Sequence, residues 1–339
     1  MFKILINIAI ALTLGTIILG AHTRLTEAGL GCPDWPGCYG FLAVPEHPEH
    51  VAQAEAEFPH AELVPHKAHN EMNHRYLAGT LGLIIGFIFL LSLWLKRCRV
   101  LTTFLLLLVI FQAVLGMWTV TMNLLPLVVM GHLLGGFSLL SLLVVLRMQS
   151  AKPIVLEQEP HLFNIRTFAW MAFIVLVMQI ALGGWTSANY AAVACHQMPV
   201  CEPGWQERFS LSSALSLPLG HASYQFGVLS ADARISIHVL HRLGAFLTLA
   251  VLGAFAFFAW RRAQSKTMQR LVLAIASLLV LQFCLGVINV VAYLPLMNAV
   301  AHNFVAANLL MLVVAFIYQI YQRRGAKSLH VATASQEHL

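Results

Sequence analysis

The sequence predicts an all-α integral membrane protein in which eight transmembrane helices form two four-helix bundles. Its 339 residues are 59% hydrophobic and 10% charged, with a mean hydropathy of +0.77, which excludes an ordinary soluble protein. Eight apolar runs each approach the roughly 20 residues that a helix needs to cross a bilayer. They lie near residues 3–21, 72–95, 101–121, 127–146, 167–187, 236–260, 271–292 and 299–321. An internal repeat relates the first four runs to the last four.

The first apolar run resembles a secretory signal peptide in length. No small-residue cleavage site follows it, and the chain continues with Thr23-Arg24-Leu25-Thr26 instead. We therefore expect it to be the first transmembrane helix rather than a cleaved signal.

The basic residues predict the orientation, because Lys and Arg gather on the cytoplasmic side of membrane helices. If Lys3 is cytoplasmic, 14 of the 20 Lys and Arg fall on that side. Both termini are then cytoplasmic, in a bacterial plasma (inner) membrane, and the long connections 22–70 and 188–235 are extracytoplasmic. This belt accounts for most of the net charge of +6, so we expect no nucleic-acid partner.

The repeat aligns residues at offsets that grow slowly along the chain. At an offset of 163 residues, the Gly20 and Cys32–Cys38 segments match Gly183 and Cys195–Cys201. At an offset of 167, His74-Arg75 matches His241-Arg242. At an offset of 170, Gln112, Gly116 and His132 match Gln282, Gly286 and His302. Four helices in each half make both halves cross the membrane in the same direction, so the pseudo-two-fold axis should follow the membrane normal. We predict bundles at 1–146 and 167–321, a cytoplasmic linker at 147–166 that contains Lys152-Pro153 and Glu157 to Pro160, and a cytoplasmic tail at 322–339.

Four of the six cysteines lie in the two long connections. Cys32, Cys38, Cys195 and Cys201 would face an oxidising compartment, where two short-range disulfides are expected; free or metal-binding thiols are the alternative. Cys98 and Cys284 are expected to be unpaired.

Four of the 16 histidines recur at repeat-related positions. His74, His132, His241 and His302 lie near the starts of the second, fourth, sixth and eighth runs, which all cross the membrane in the same direction. Two imidazoles facing each other across a bundle can take both axial positions of a haem iron, so each half is predicted to hold one haem. Any one of these histidines could simply be a core residue, and zinc would need further ligands. The His- and Glu-rich segment 41–66 could bind a metal, but we expect a solvated acidic loop instead.

The two halves differ beside the predicted haem sites. Glu71 shares a helix face with His74 and aligns with His238, so only the first half carries an acid there. A carboxylate next to an apolar cofactor pocket can serve in proton transfer, which assigns the chemistry to the first half. Arg24, Arg75 and Arg242 lie at the same rim, where a guanidinium suits a haem propionate; an interfacial anchor is the alternative.

These motifs together resemble the haem A synthase family of the bacterial CtaA and mitochondrial COX15 type. The matching elements are Arg24-Leu-Thr, the segment Gly29-Leu-Gly-Cys-Pro-Asp-Trp-Pro-Gly-Cys38, Glu71-Met-Asn-His-Arg75 and the three further histidines. The resemblance spans all eight helices, although residues 41–66 match no family motif.

The resemblance implies oxidation of the C8 methyl of haem O to a formyl group by successive hydroxylations, giving haem A for terminal oxidases. It implies that His74 and His132 hold the substrate haem O, that His241 and His302 hold a haem b cofactor, and that Glu71 is the essential acid. Water is the expected oxygen source. Expected partners are haem O and membrane lipid, with haem O synthase, oxidase assembly factors and a second copy of the chain as further candidates. The rival hypothesis is a dihaem b-type electron-transfer subunit that uses the same four histidines; a transporter fits less well.

Overall fold

The computed structural model describes residues 1–151 and 159–334, and the regular structure in these ranges is helical. Eight long helices are α1 (Phe2–Leu25), α3 (Pro65–Trp94), α4 (Arg99–Thr121), α5 (Pro126–Gln149), α7 (Arg166–Ala188), α10 (Ala231–Arg262), α11 (Lys266–Val291) and α12 (Leu296–Ala334). Four short helices are α2 (Pro48–Glu57), α6 (Pro160–Phe163), α8 (Trp205–Arg208) and α9 (Leu211–Ala214). Each long helix is long and apolar enough to cross a membrane, so the prediction of eight spanning helices is confirmed.

Two spanning helices begin earlier than their apolar runs. Helix α3 starts at Pro65, where proline is tolerated because the first-turn amides lack intrahelical partners, and α10 starts after Ser230, whose side chain accepts from the Ala233 amide at 3.3 Å. The polar first turns of both helices were therefore missed by hydropathy. As a consequence Glu71 and His74 lie about two turns inside α3 rather than at its mouth.

The helix contacts fit the predicted pair of bundles. Helices α1, α3, α4 and α5 contact one another in a ring, and α7, α10, α11 and α12 form a second ring. Contacts between the rings run from α5 to α12, from α1 to α12 and from α5 to α7. The repeat pairs α1 with α7 and α5 with α12. Exchanging the halves therefore converts the α1–α12 contact into the α7–α5 contact and leaves the α5–α12 contact unchanged, as a two-fold relation requires.

The predicted linker and tail carry helical structure. Helix α6 lies within 147–166, and Glu159 accepts hydrogen bonds from the amides of Gln264 (3.0 Å) and Ser265 (2.7 Å) at the start of α11. Lys152-Pro153 and Glu157 lie outside the described residues. Helix α12 continues into the predicted tail as far as Ala334.

We call the end of the molecule at which α1 and α7 finish the disulfide end. The turn between α4 and α5 also lies there, and the long connection of the second half reaches it. The Asn123 side chain donates to the Ala222 carbonyl at 2.9 Å, and the Tyr224 amide donates to the Asn123 carbonyl at 3.0 Å. The two halves are thus joined at this end as well as along their helices.

Candidate functional site

The first bundle brings its two predicted ligands close together. The ring centroids of His74 on α3 and His132 on α5 are 6.4 Å apart, with ring planes at 77°. Two metal–nitrogen bonds of about 2 Å, with about 1 Å from each nitrogen to its ring centre, place bis-imidazole ring centres roughly 6 Å apart. Both Nδ1 atoms are buried without a hydrogen-bond partner. The spacing and the unsatisfied nitrogens therefore fit one haem iron between the two rings.

A glycine on a neighbouring helix lies against each of the four histidines. A Cβ on Gly20 would lie 2.8 Å from His74 Cε1, and one on Gly183 would lie 3.1 Å from the same atom of His241. The corresponding distances are 3.5 Å for Gly116 with His132 and 3.2 Å for Gly286 with His302. From the sequence alone, these glycines served only to identify the internal repeat. The structure shows that they leave the space that the imidazoles occupy.

The second bundle, together with residues of α1 and α5, lines a cavity of about 440 Å³, which we call the second cavity and which has both His241 and His302 in its wall. This volume lies within the range of roughly 300–1,000 Å³ that is usual for cofactor sites. Two glutamines also line it: Gln179 Nε2 lies 3.1 Å from His241 Nδ1, and Gln282 Nε2 lies 3.1 Å from His302 Nε2. An apolar cavity with two imidazoles in its wall fits a haem, and the glutamine contacts could not be predicted from the sequence.

Glu71 is tied to the first cysteine loop. The predicted Cys32–Cys38 disulfide is confirmed. The Glu71 side chain is buried, and its Oε2 accepts from the Cys32 amide at 2.9 Å while its Oε1 accepts from Arg75 Nη2 at 2.5 Å. Arg75 Nη1 donates to the backbone carbonyls of the same loop, at residues 34 (3.0 Å), 36 (3.4 Å) and 37. The carboxylate therefore joins the disulfide loop to the helix that carries His74.

The second loop repeats this arrangement with an imidazole in place of the carboxylate. The predicted Cys195–Cys201 disulfide is confirmed, and Arg242 donates to three carbonyls of the loop, those of Cys195 (2.6 Å), Gln197 (2.6 Å) and residue 200 (2.7 Å). His238 Nδ1 lies 3.3 Å from the Cys195 amide, and its Nε2 lies 3.2 Å from Arg242 Nε. A neutral imidazole has one acceptor nitrogen, so His238 can satisfy only one of these donors, whereas Glu71 satisfies both of its own.

Each loop also contains an acid that organises its backbone. Asp34 accepts from the amides of Tyr39 (2.6 Å) and Gly40 (2.9 Å), and Glu202 accepts from the His196 amide at 2.7 Å. Burial alone would raise the pKa of Glu202, but the amides that donate to its carboxylate hold that pKa below its usual value. Burial, with a smaller contribution from Glu71, raises the pKa of Tyr39. These acids therefore belong to the construction of the loops.

The three arginines assigned to the rim have different surroundings. Arg75 and Arg242 hold loop carbonyls, as described above, and Arg242 also lines the second cavity. Arg24 crosses to the other half: its Nη2 donates to the Ser187 carbonyl at 2.6 Å, and it also lines the second cavity. Contact of the three with haem propionates stays a prediction.

The remaining candidate residues do not lie beside either histidine pair. Cys98 and Cys284 are unpaired, as predicted. In the His- and Glu-rich segment, Glu46 lies 3.0 Å from His69, and the Phe41 and His50 rings stack with centroids 4.6 Å apart. These contacts organise the segment around α2.

Comparison with known proteins identifies the family. A model of the COX15–CtaA family, described as cytochrome oxidase assembly protein, matches residues 3–314. The chain belongs to the COX15–CtaA family.

Curated relatives match this chain along most of their length. A heme A synthase from Shewanella oneidensis is 44% identical over 326 residues, which cover 96% of this chain and 98% of the relative. A heme A synthase from Neorickettsia sennetsu is 25% identical, covering 93% and 98%, and one from Brucella ovis is 23% identical, covering 90% and 87%. The range matched by the family model contains Glu71 and all four repeat-related histidines.

Proposed function

We propose that this member of the COX15–CtaA family is a haem A synthase, which oxidises the C8 methyl group of haem O to a formyl group. The observations that carry the proposal are the close pair of His74 and His132, the cavity lined by His241 and His302, and the buried Glu71 on the helix of His74, which has His238 as its counterpart in the second half. The 44% identical relative named heme A synthase supports the same activity.

The two histidine pairs take different roles in this proposal. His74 and His132 hold the substrate haem O, and their 6.4 Å centroid separation suits axial ligation. His241 and His302 hold a resident haem b in the second cavity, where it supplies one-electron redox chemistry. The difference rests on Glu71, because His238 occupies the equivalent position in the second half.

Glu71 is proposed to receive protons from the reacting methyl carbon or from the attacking water. Each hydroxylation that uses water as the oxygen source releases two protons and two electrons, so a proton acceptor is needed at the first site. The carboxylate is held in place by the Cys32 amide and by Arg75, which restrict its motion and align it. The two electrons must leave for an acceptor, and a haem held by His241 and His302 would supply a one-electron carrier on that route.

The test is to co-express the chain with a haem O synthase and to extract the haems under acid. The wild-type chain should yield haem A or its hydroxylated precursor. Glu71→Ala should yield neither, while the absorption spectrum of the second-bundle haem is retained. Glu62→Gln, an exposed acid in the same half, is the matched control. Normal haem A production by Glu71→Ala would refute the catalytic assignment.

The rival function is a dihaem electron-transfer subunit. In that case the extraction would return haem b alone from every variant, including the wild type. The unmatched acid at Glu71 favours the synthase, because an electron carrier needs no proton acceptor in one half only.

The eight apolar helices make this an integral membrane protein. We further propose a bacterial plasma membrane location with cytoplasmic termini, and with the disulfide end extracytoplasmic, on the basis of the Lys and Arg distribution. Haem O synthase, oxidase assembly factors and a second copy of the chain are proposed partners.

A further inference from the structure

The wall of the second cavity includes residues of the first bundle, among them Arg24 and Glu27. Arg24 is in the last turn of α1, yet it lines the cavity that contains His241 and His302. Its Nη2 donates to the Ser187 carbonyl on α7, and its guanidinium carbon lies 4.2 Å from the centre of the Tyr190 ring. Tyr190 lines the same cavity. The two residues therefore form one polar patch in a largely apolar wall.

This patch has donors without acceptors. Arg24 Nε and the Tyr190 hydroxyl are both buried, and neither has a hydrogen-bond partner in the described part of the chain. Buried N–H and O–H groups in proteins are rarely left unsatisfied. A guanidinium next to a hydroxyl would be satisfied by an acceptor that carries negative charge, and a carboxylate has the geometry to accept from both.

The patch has no copy in the first half. At the offset of 163, Arg24 corresponds to Ser187, and Tyr190 corresponds to Glu27. Arg75 and Arg242, by contrast, correspond to each other in the repeat, and each holds the cysteine loop of its own half. Glu27 also lines the second cavity, but among the described residues it makes no ion pair with Arg24. Arg24 Nε, which has no acceptor among the described residues, is thus left for a group inside the cavity.

We propose that Arg24 and Tyr190 bind a propionate carboxylate of the tetrapyrrole that His241 and His302 hold, and so retain it in the second cavity. This inference rests on the proposed function. A resident cofactor must stay bound through many turnovers, whereas the substrate of the first bundle must leave as product. An extra charge-assisted contact in the second bundle only would hold the cofactor there and leave the substrate of the first bundle free to exchange.

The experiment measures release of the second-bundle haem to excess apomyoglobin by absorbance, using full-length protein in a His74→Ala background that removes the first site. We expect Arg24→Gln to accelerate release about tenfold or more, the effect of losing one charge-assisted hydrogen bond. Arg24→Lys should have an intermediate rate, and Tyr190→Phe should release the haem roughly threefold faster. Arg208→Gln, an exposed arginine paired with Asp232 at 2.7 Å, is the matched control and should match the parent.

A second arm replaces haem b with its dimethyl ester, which has no free propionate. The parent and Arg24→Gln should then release the ester at the same rate. Equal release of haem b by both proteins, or equal acceleration for haem and ester, would overturn the inference. If Arg24→Gln fails to fold, unchanged rates in both Arg24→Lys and Tyr190→Phe would overturn it.

Two outcomes separate this inference from the proposed function. Wild-type protein that makes no haem A but shows Arg24-dependent release would refute the synthase proposal alone. A His74→Ala protein that retains no haem would refute the assignment of His241 and His302, and this inference with it.

Discussion

The Glu71–Arg75 pair should couple much more strongly than its counterpart in the second half, His238–Arg242. Both members of the first pair are almost fully buried and lie 2.5 Å apart. Opposite unit charges at about 4 Å attract by about 4 kcal/mol at an effective dielectric constant of about 20, and desolvation offsets part of that gain. We expect a coupling free energy of about 2–3 kcal/mol.

The second pair provides the matched comparison within the same chain. His238 is neutral when it accepts a hydrogen bond, and it can accept from only one of its two neighbouring donors. Its coupling to Arg242 should therefore stay near about 1 kcal/mol, the usual net contribution of a single hydrogen bond. The contacts of each arginine with its loop carbonyls are lost in both the single and the double variants, so they cancel in the cycle.

The assay is a double-mutant cycle on the free energy of unfolding, measured in mixed micelles with increasing SDS. The variants are Glu71→Ala, Arg75→Ala and their double, with His238→Ala, Arg242→Ala and their double as the second cycle. Coupling energies that agree within about 0.5 kcal/mol, the usual error of such cycles, would refute the claim that the carboxylate makes the difference.

Two further predictions concern the helix packing and the orientation. Gly20→Ala should reduce haem bound at the first site more than Gly183→Ala reduces it at the second, because its Cβ would lie 2.8 Å rather than 3.1 Å from an imidazole carbon; haem content per chain measures this, with the unobstructed Gly82→Ala as control. Cys98 should react with a membrane-impermeant maleimide in inside-out vesicles only, whereas Ser216→Cys, in a Cys98→Ser background, should react in right-side-out vesicles. Burial raises the pKa of the Cys98 thiol, so its labelling should accelerate as pH rises and the thiolate forms. Labelling of Cys98 in right-side-out vesicles would contradict the proposed orientation.

The spanning helices and the four histidines could be predicted from the sequence because both depend on simple spacing. Hydropathy locates each helix. Once the direction in which a helix crosses the membrane is known, the depth of its first turns in the membrane is known too. His74 and His132 are 58 residues apart, yet the up-and-down topology alone brings them to one level. The internal repeat then distinguished these residues from the other histidines.

The surroundings of Glu71 could not be predicted in the same way. Arg75 was predicted to contact a haem propionate because a guanidinium suits a carboxylate. In the structure it donates to the Glu71 carboxylate and to loop carbonyls, whose positions depend on how the connection folds back onto α3. The recurrence of an arginine with each cysteine pair was a usable signal, since Arg242 holds the second loop in the same manner. Arg24 crossing to the second bundle left no such signal, because position 187 is a serine.

The hydrogen bonds between Asn123 and residues 222–224 limit how the molecule can open. A hinge between the two bundles at the disulfide end would have to break both of them, and it would also separate Arg24 from Ser187. Opening the two bundles at that end would therefore cost three hydrogen bonds between the halves. We expect haem O to enter the first site laterally from the lipid instead, so that its exchange depends on the side chains of the first bundle that face the bilayer.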